Sequence, residues 1–307
     1  MQQQQDLIIA GSGPAGLAAA VYAARARMRF FVLEENDFSG GQIINTYDVD
    51  NYLGLPGIGG FDLAMKFREH ADKFGAQFVQ DRMTAARRED GQIVVQGEKA
   101  QYRARALLVA TGARHRRLGC PGEAEFSGRG VSYCATCDGA FFRGKDVAMV
   151  GGGDTALEEA AFLANLCARV YLLHRRDALR ASKHLQERVL ALPNVEVLYE
   201  TTVQEIFGGE AVEGIRVLRR GRAEEIPLSG VFIAVGMEPN SEPLRGVTAL
   251  DSAGFIVAGE DGATSVPGLF AAGDVRTKAL RQILTAAADG ANAIRSIERY
   301  LLGGPAR

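Results

Sequence analysis

Cys134 and Cys137 stand two residues apart in the run Val131-Ser132-Tyr133-Cys134-Ala135-Thr136-Cys137, and Asp138 follows at once. Sulfurs at this spacing can open and close a disulfide, and a carboxyl beside them can relay a proton as a sulfur is released. Aspartate is also common at helix N-caps, so a structural role at the turn 139–142 is compatible with the chemical one. At Gly151, fourteen residues after Cys137 (151 − 137), a glycine-rich nucleotide fingerprint begins. That neighbour suggests where electrons for the sulfur chemistry come from.

The same spacing occurs at zinc sites, which use four ligands and usually a second C-x-x-C or a histidine pair. Cys120 and Cys167 are isolated, and His70, His115, His174 and His184 show no such spacing. A redox pair is the better reading, with Cys120 and Cys167 as small core residues.

Two similar units must position this chemistry. Residues 6–10 read as a buried strand running into Gly11-x-Gly13-x-x-Gly16, which includes Ser12, Pro14 and Ala15. A helix over 17–27 and a strand over 29–33 follow, ending at Glu34. This is a βαβ unit with a dinucleotide fingerprint in its proper context. Its glycines permit close backbone approach, and the free N–H groups at the helix start face a pyrophosphate. The second copy runs from a strand over 146–150 into Gly151-x-Gly153-x-x-Ala156, then a helix over 155–167 and a strand over 169–173 ending at His174.

Gly11 to Glu34 and Gly151 to His174 both span 23 residues (34 − 11 and 174 − 151), so the units are in register. The residues at the two strand ends differ in kind. A carboxylate, Glu34 in preference to Glu35 because it directly follows the strand, suits the free ribose 2′-hydroxyl of FAD or NAD. His174, Arg175 and Arg176, with Arg180 beyond, suit the 2′-phosphate of NADPH through charge-assisted hydrogen bonds.

Further along, 107–112 and 231–236 read as corresponding strands, and the stretches near 74–105 and 195–235 as three-stranded meanders. The run 268–274 is a strand-turn ending in Asp274, and a long helix is expected over 282–302. The fold class is α/β, with two Rossmann-like nucleotide-binding domains, the second inserted into the first. Residues 1–115 with 246–307 form the discontinuous first domain and 116–245 the insert. The breakers at 119–122 and 238–240 could serve as a hinge.

The 307 residues are enough for two domains, and the net charge of −2 gives no sign of a nucleic-acid or membrane-surface partner. The N-terminus has neither the basic nor the apolar region of a signal peptide, and the most apolar helical stretch, 17–24, is too short to span a bilayer. A cytoplasmic protein is expected.

With these motifs in order, the chain resembles the low-molecular-weight, prokaryotic-type NADPH-dependent thioredoxin reductases over essentially its whole length. The resemblance rests on Gly-Ser-Gly-Pro-Ala-Gly (11–16), Gly-Gly-Gln (40–42), Ala-Thr-Gly-Ala-Arg (110–114) and Cys-Ala-Thr-Cys-Asp (134–138). It extends through Gly-Gly-Gly-Asp-Thr-Ala (151–156), His-Arg-Arg-Asp-x-x-Arg-Ala (174–181), Ala-Gly-Asp (272–274) and Arg-Gln-Ile (281–283). It implies a homodimeric flavoprotein that passes electrons from NADPH to FAD, then to a Cys134–Cys137 disulfide, then to thioredoxin. FAD contacts are implied at Gly11, Ser12, Gly13, Pro14, Ala15, Gly16, Glu34, Gly41, Gln42, Asn51, Thr111, Gly112, Gly273, Asp274, Arg281, Gln282 and Ile283. NADPH contacts are implied at Gly152, Gly153, Asp154, Thr155, His174, Arg175, Arg176 and Arg180. Catalysis is implied at Cys134, Cys137 and Asp138.

Relatives resembling glutathione reductase and lipoamide dehydrogenase place their cysteines soon after the first βαβ unit, but residues 34–60 contain none. Ferredoxin–NADP reductases of similar fold lack the C-x-x-C. Two other readings keep the fold: a reductase of a different small dithiol protein, and a flavin-bound sensor with negligible turnover. Because NADPH and the disulfide share the insert yet both need one flavin, the insert is expected to rotate between half-reactions.

Overall fold

Apolar runs covered on both faces become the parallel central strands of two sheets. The computed structural model describes residues 5–46, 49 and 51–303. Two compact units emerge, Met1–Arg114 with Glu238–Arg307, and His115–Met237. The chain begins with β1 (Gln5–Ala10), α1 (Pro14–Arg25), β2 (Phe30–Glu34), α2 (Gly60–Lys73), β3 (Phe78–Gln80), β4 (Met83–Glu89), β5 (Gln92–Gly97) and β6 (Gln101–Val109). β7 (Ala113–His115) leads into the second unit. There follow β8 (Val131–Ser132), α3 (Ala135–Asp138), β9 (Asp146–Gly151), α4 (Asp154–Ala164), β10 (Arg169–Leu173), α5 (Lys183–Leu190) and β11 (Val195–Leu198). Next come β12 (Thr201–Gly208), β13 (Val212–Arg219), β14 (Arg222–Pro227) and β15 (Gly230–Ala234). β16 (Met237–Pro239) leads back to β17 (Leu269–Ala271) and α6 (Ile283–Leu301).

In the first unit the sheet order is β3-β2-β1-β6-β5-β4, with β17 also on β6. Alternation along β1 sends Leu7 and Ile9 into one core with α1 and α6, and Ile8 and Ala10 into the other with Val95, Leu107 and Ile256. Leu7, Ile8 and Ile9 are fully buried, each worth roughly 1.5–3 kcal/mol of apolar transfer. β6 is long enough to do two jobs. Its start pairs antiparallel with β5 and its end parallel with β1. The meander expected over 74–105 is therefore fused to the parallel sheet.

The second unit repeats the central arrangement. Its sheet runs β11-β10-β9-β15-β8, so β10-β9-β15 matches β2-β1-β6. β15 has five residues and stops short, and β12-β13-β14 stands as a separate antiparallel sheet. That sheet covers one face of β9 through Ile215 and Val217 against Ala148 and Val150, while α4 covers the other through Ala156 and Leu157 against Met149.

The two short strands at the unit boundaries, β7 and β16, pair with each other. The return crossing at 237/238 lies eight residues before the expected 246 (246 − 238). Residues 238–245 are held in the first unit: Asn240 bonds Thr111 and Gly112, Ser241 Oγ donates to Gly254 O, and Leu244 is buried beside Ile256. No described helix is long and apolar enough to cross a membrane.

Candidate active site

Cys134 and Cys137 form a disulfide with Cα atoms 5.3 Å apart. Cys134 is the extended N-cap of the single-turn helix α3, and Cys137 lies within that turn. The turn is seated by its successor Gly139, where a Cβ would come 3.1 Å from Leu163 and 3.2 Å from Phe162 on α4. Phe142 then packs edge-on against Phe232 of the sheet, with centroids 5.2 Å apart. The sulfur pair thus rests on a rigid layer while Thr136 Oγ1 lies 3.3 Å from Cys134 Sγ.

Asp138 stands at the N-cap position of the turn Gly139–Phe142, but its side chain caps nothing. It accepts the Ser132 hydroxyl at 2.6 Å, and the same Oγ receives the Cys134 N–H at 3.1 Å. Burial pushes the Asp138 carboxyl above the usual carboxylate range, with the Ser132 hydrogen bond opposing. A partly buried carboxyl one residue from Cys137, tied through Ser132 to the backbone N–H of Cys134, is placed to hold or give a proton. The other thiols are unsuited to attack: burial pushes Cys120 up and Cys167 up to about 11.

In the same unit the fingerprint turns from β9 into α4, with Gly153 as the extended N-cap and nothing within 4 Å of where a Cβ would be. Residues 180–182 fold back on this loop, with Arg180 and Ala181 N–H donating to Gly152 O and Ser182 N–H to Asp154 Oδ1. Arg175, Arg176 and Arg180 are exposed, as are Asp154 and Thr155. His174 departs from its expected place in the basic cluster. It is 4% exposed, its ring fills the space where a Gly152 Cβ would be, and burial pushes its pKa down. The reason is positional: β10 continues inward through Leu173, and the chain reaches solvent only at Arg175. His174 supports the loop; the arginines supply the charge.

The first unit has the corresponding loop. Gly11 sits at φ +102°, and a Cβ there would lie 2.5 Å from Ala110 O, so the tight turn itself demands glycine. Gly13, the N-cap of α1, has its nearest neighbour, Gly40 O, 4.0 Å from where a Cβ would be. Space lies open over the N-terminus of α1, as over α4. Glu34 reaches back to this loop, accepting Ser12 N–H at 2.8 Å and the Ser12 hydroxyl at 2.6 Å, and its other oxygen takes two bonds from Asn36. Pro14 opens α1, where a missing N–H costs nothing.

Other expected residues of this unit gather from distant sequence. A Cβ on Gly41 would lie 3.4 Å from Gly13 Cα, and one on Gly273 would lie 2.9 Å from Ala15 Cβ. A Cβ on Gly16 would meet Gly11 O. Asn51 bonds Gln282 at 2.9 Å, Gln42 donates to Ala113 O, and Thr111 donates to Asn240 O. Gln282 caps α6, which begins at Ile283. Arg281 stacks on Phe255 at 4.0 Å and reaches Asp274 O. Asp274 Oδ1 is buried with no partner among the described residues, and burial pushes its carboxyl up against the pull of Lys278 and Arg281. An orphaned buried acceptor beside a glycine turn, with open space over a helix N-terminus, fits a hydroxyl-rich nucleotide such as FAD.

The model of the pyridine nucleotide-disulphide oxidoreductase family matches residues 5–290. The chain belongs to this family. Curated members similar to it include the thioredoxin reductase of Peptoclostridium acidaminophilum, 44% identical over 98% of this chain and 98% of that protein. The thioredoxin reductase of Bacillus subtilis is 43% identical over 96% of this chain and 94% of its own. The crystal structure of the thioredoxin reductase from Streptococcus pyogenes superposes with TM-score 0.92 at 42% identity, covering 99% of this chain and 100% of that one.

Within this pyridine nucleotide-disulphide oxidoreductase, sequence reasoning passed over two residues. Ser132 and Asn240 carry no sequence signal, since each matters only through a partner brought near by the fold.

Proposed function

We propose that this protein is an NADPH-dependent, FAD-containing thioredoxin-disulfide reductase, acting in the cytoplasm as a homodimer. The observation that carries the reading is the Cys134–Cys137 disulfide at the head of α3, in the same unit as a fingerprint flanked by Arg175, Arg176 and Arg180. Relatives named thioredoxin reductase match the whole chain, which supports thioredoxin as the partner. The first unit would hold FAD through the Gly11–Gly16 loop, Glu34, Gly41, Gln42, Asn51, Thr111, Gly112 and the Gly273–Asp274 turn, with Arg281, Gln282 and Ile283 at the start of α6. The second would hold NADPH through Gly152, Gly153, Asp154, Thr155 and the three arginines. When bound, the two groups supply hydride transfer and two-electron reduction of a disulfide.

The chain's own residues do the rest. Two electrons break the Cys134–Cys137 bond and leave two sulfur anions, one of which takes a proton from Asp138. A thiolate of the pair attacks the partner's disulfide, forming a mixed disulfide and releasing a partner thiolate. The second cysteine then attacks the mixed disulfide, frees the reduced partner and restores Cys134–Cys137. Because the sulfur pair and the arginine cluster share one unit, that unit turns about β7 and β16 to present each in its turn.

Replacing Cys137 by serine tests this directly. NADPH should still bleach the flavin absorbance, while reduction of thioredoxin is lost. Continued thioredoxin reduction by Cys137→Ser would refute the assignment.

A further inference from the structure

Between the two cysteines stands a hydroxyl that the reaction above does not use. Thr136 is the second residue of α3, and its Oγ1 lies 3.3 Å from Cys134 Sγ. A sulfur in a disulfide carries no hydrogen, so in this contact the hydroxyl donates and the sulfur accepts. Among the described residues the Thr136 side chain has no other hydrogen-bond partner, and no hydrogen bond reaches Cys137 Sγ. The two sulfurs of one bond are therefore unequal.

The charged groups around the pair give a thiolate little help. α3 packs against α4 and the turn Gly139–Phe142. The titratable groups of α4 are Asp154, Glu158 and Glu159, all acidic, and the turn has none. On α3 itself, Asp138 is engaged by Ser132. On the other side of Cys134, Tyr133 gives its hydroxyl to Glu123 and stacks on His115 at 5.1 Å. Neither α4 nor the turn supplies a cation to a sulfur anion, and the Cys134 N–H is already given to Ser132 Oγ. The Thr136 hydroxyl is the donor aimed at the sulfur.

A hydrogen bond given to the charged form of a group favours that form. We propose that Thr136 is a further catalytic residue: its hydroxyl holds the Cys134 sulfur as a thiolate once the disulfide has opened, and so makes Cys134 the attacking sulfur. Two electrons break the S–S bond, and the Cys137 sulfur takes a proton from Asp138, its neighbour in the chain. The Cys134 sulfur keeps its negative charge and the Thr136 hydrogen bond. Its attack forms a bond to one sulfur of the partner's disulfide, and the electron pair of that disulfide leaves on the partner's other sulfur. Cys137 then returns its proton to Asp138 and attacks Cys134 Sγ. This frees the second partner sulfur, restores the Cys134–Cys137 bond and leaves both partner sulfurs to take protons from solvent. The inference rests on the reading of Cys134–Cys137 as the redox pair.

The test uses the FAD-loaded protein reduced with dithiothreitol, in wild-type form and as Thr136→Val and Thr136→Ser. Valine keeps the shape and removes the donor, while serine keeps the donor, and the position is exposed, so neither change disturbs the core. After the reductant is removed, alkylation by iodoacetamide is followed from acid to alkaline pH, with Cys134 and Cys137 distinguished by peptide fragment masses. Thr136→Val should move the Cys134 profile to higher pH by about one unit, which is about a tenfold slower reaction below the thiol pKa. Thr136→Ser should stay with the wild type. A Cys134 profile that valine leaves in place or moves to lower pH, or that serine moves as far as valine does, overturns the proposal. So does a shift confined to Cys137, or a loss of thermal stability with the Cys134 profile unchanged, which would mark a packing role alone. NADPH-driven thioredoxin reduction is measured alongside. If the wild type lacks it, the functional reading fails, whereas the alkylation profiles judge Thr136 alone.

Discussion

Ser132 Oγ donates to Asp138 Oδ2 at 2.6 Å and receives the Cys134 N–H at 3.1 Å, so one hydroxyl joins the proton-carrying carboxyl to the backbone of a redox cysteine. Asp138→Asn should lower turnover by about 100-fold, the usual cost of losing a general acid–base group. Ser132→Ala is the more informative change. Burial raises the Asp138 pKa and the Ser132 bond lowers it, so removing the serine leaves burial alone. The limb of the kcat/KM pH profile that reports Asp138 should then move to higher pH. A downward shift would mean that Ser132 does not govern this carboxyl.

The glycines of one fingerprint should behave differently from each other. Gly11→Ala forces a Cβ to within 2.5 Å of Ala110 O in a left-handed backbone, and should cost well over the roughly 1 kcal/mol of an ordinary glycine replacement. Gly13→Ala meets nothing closer than 4.0 Å in the protein and should leave the apoprotein's melting temperature unchanged while weakening FAD binding. Gly153→Ala should do the same for NADPH. Apoprotein melting curves and cofactor titrations of the three variants separate a folding requirement from a ligand requirement.

Nucleotide preference should reside in the arginines and not in His174. Arg175→Ala and Arg176→Ala each remove a charge-assisted contact worth about 1.5–3 kcal/mol, so KM for NADPH should rise roughly 10- to 100-fold with little change for NADH. His174→Ala empties the space beneath Gly152 and should weaken both nucleotides alike, with a fall in stability. Steady-state kinetics with the two nucleotides would expose the opposite pattern at once.

The turn that carries Asp274 depends on Asp289. This buried carboxylate on α6 pairs with Arg276 at 2.6 Å and Lys278 at 2.9 Å, and also accepts the Gly273 N–H at 3.0 Å. Asp289→Asn leaves two cations without their counter-charge, and should cost about 3–5 kcal/mol near neutral pH. Burial would raise the Asp289 pKa, but the bonds from Arg276 and Lys278 win and hold it below 3.8. A carboxyl whose folded pKa is depressed contributes stability above its unfolded value and loses it as the pH falls through the folded one. The difference between wild type and variant, measured by denaturant unfolding, should therefore narrow in acid below about pH 3.8.

Much of the architecture was legible because the signals were local. An apolar strand, a glycine turn and a helix follow one another within a few residues at both fingerprints, and the equal 23-residue intervals emerge as the matching sheets β2-β1-β6 and β10-β9-β15. The helix Gly60–Lys73 went unread, since its buried pair Leu63 and Ala64 is separated from Ala71 by a stretch rich in charged residues. The late boundary at 246 failed for another reason. Nothing in residues 238–245 announces that Asn240 will bond Thr111, 129 positions away.

The sequence by itself determined which groups could react: a cysteine pair at disulfide spacing, a carboxyl beside it, and a carboxylate and a basic cluster closing two equivalent strands. Those follow from covalent order and from short-range backbone rules. Only the tertiary structure decided which groups are buried and what they touch. It buried His174 while exposing Arg175, and turned Asp138 from helix cap to partner of Ser132. Burial and hydrogen bonding depend on atoms from distant segments, and those are brought together only when the sheets and helices pack.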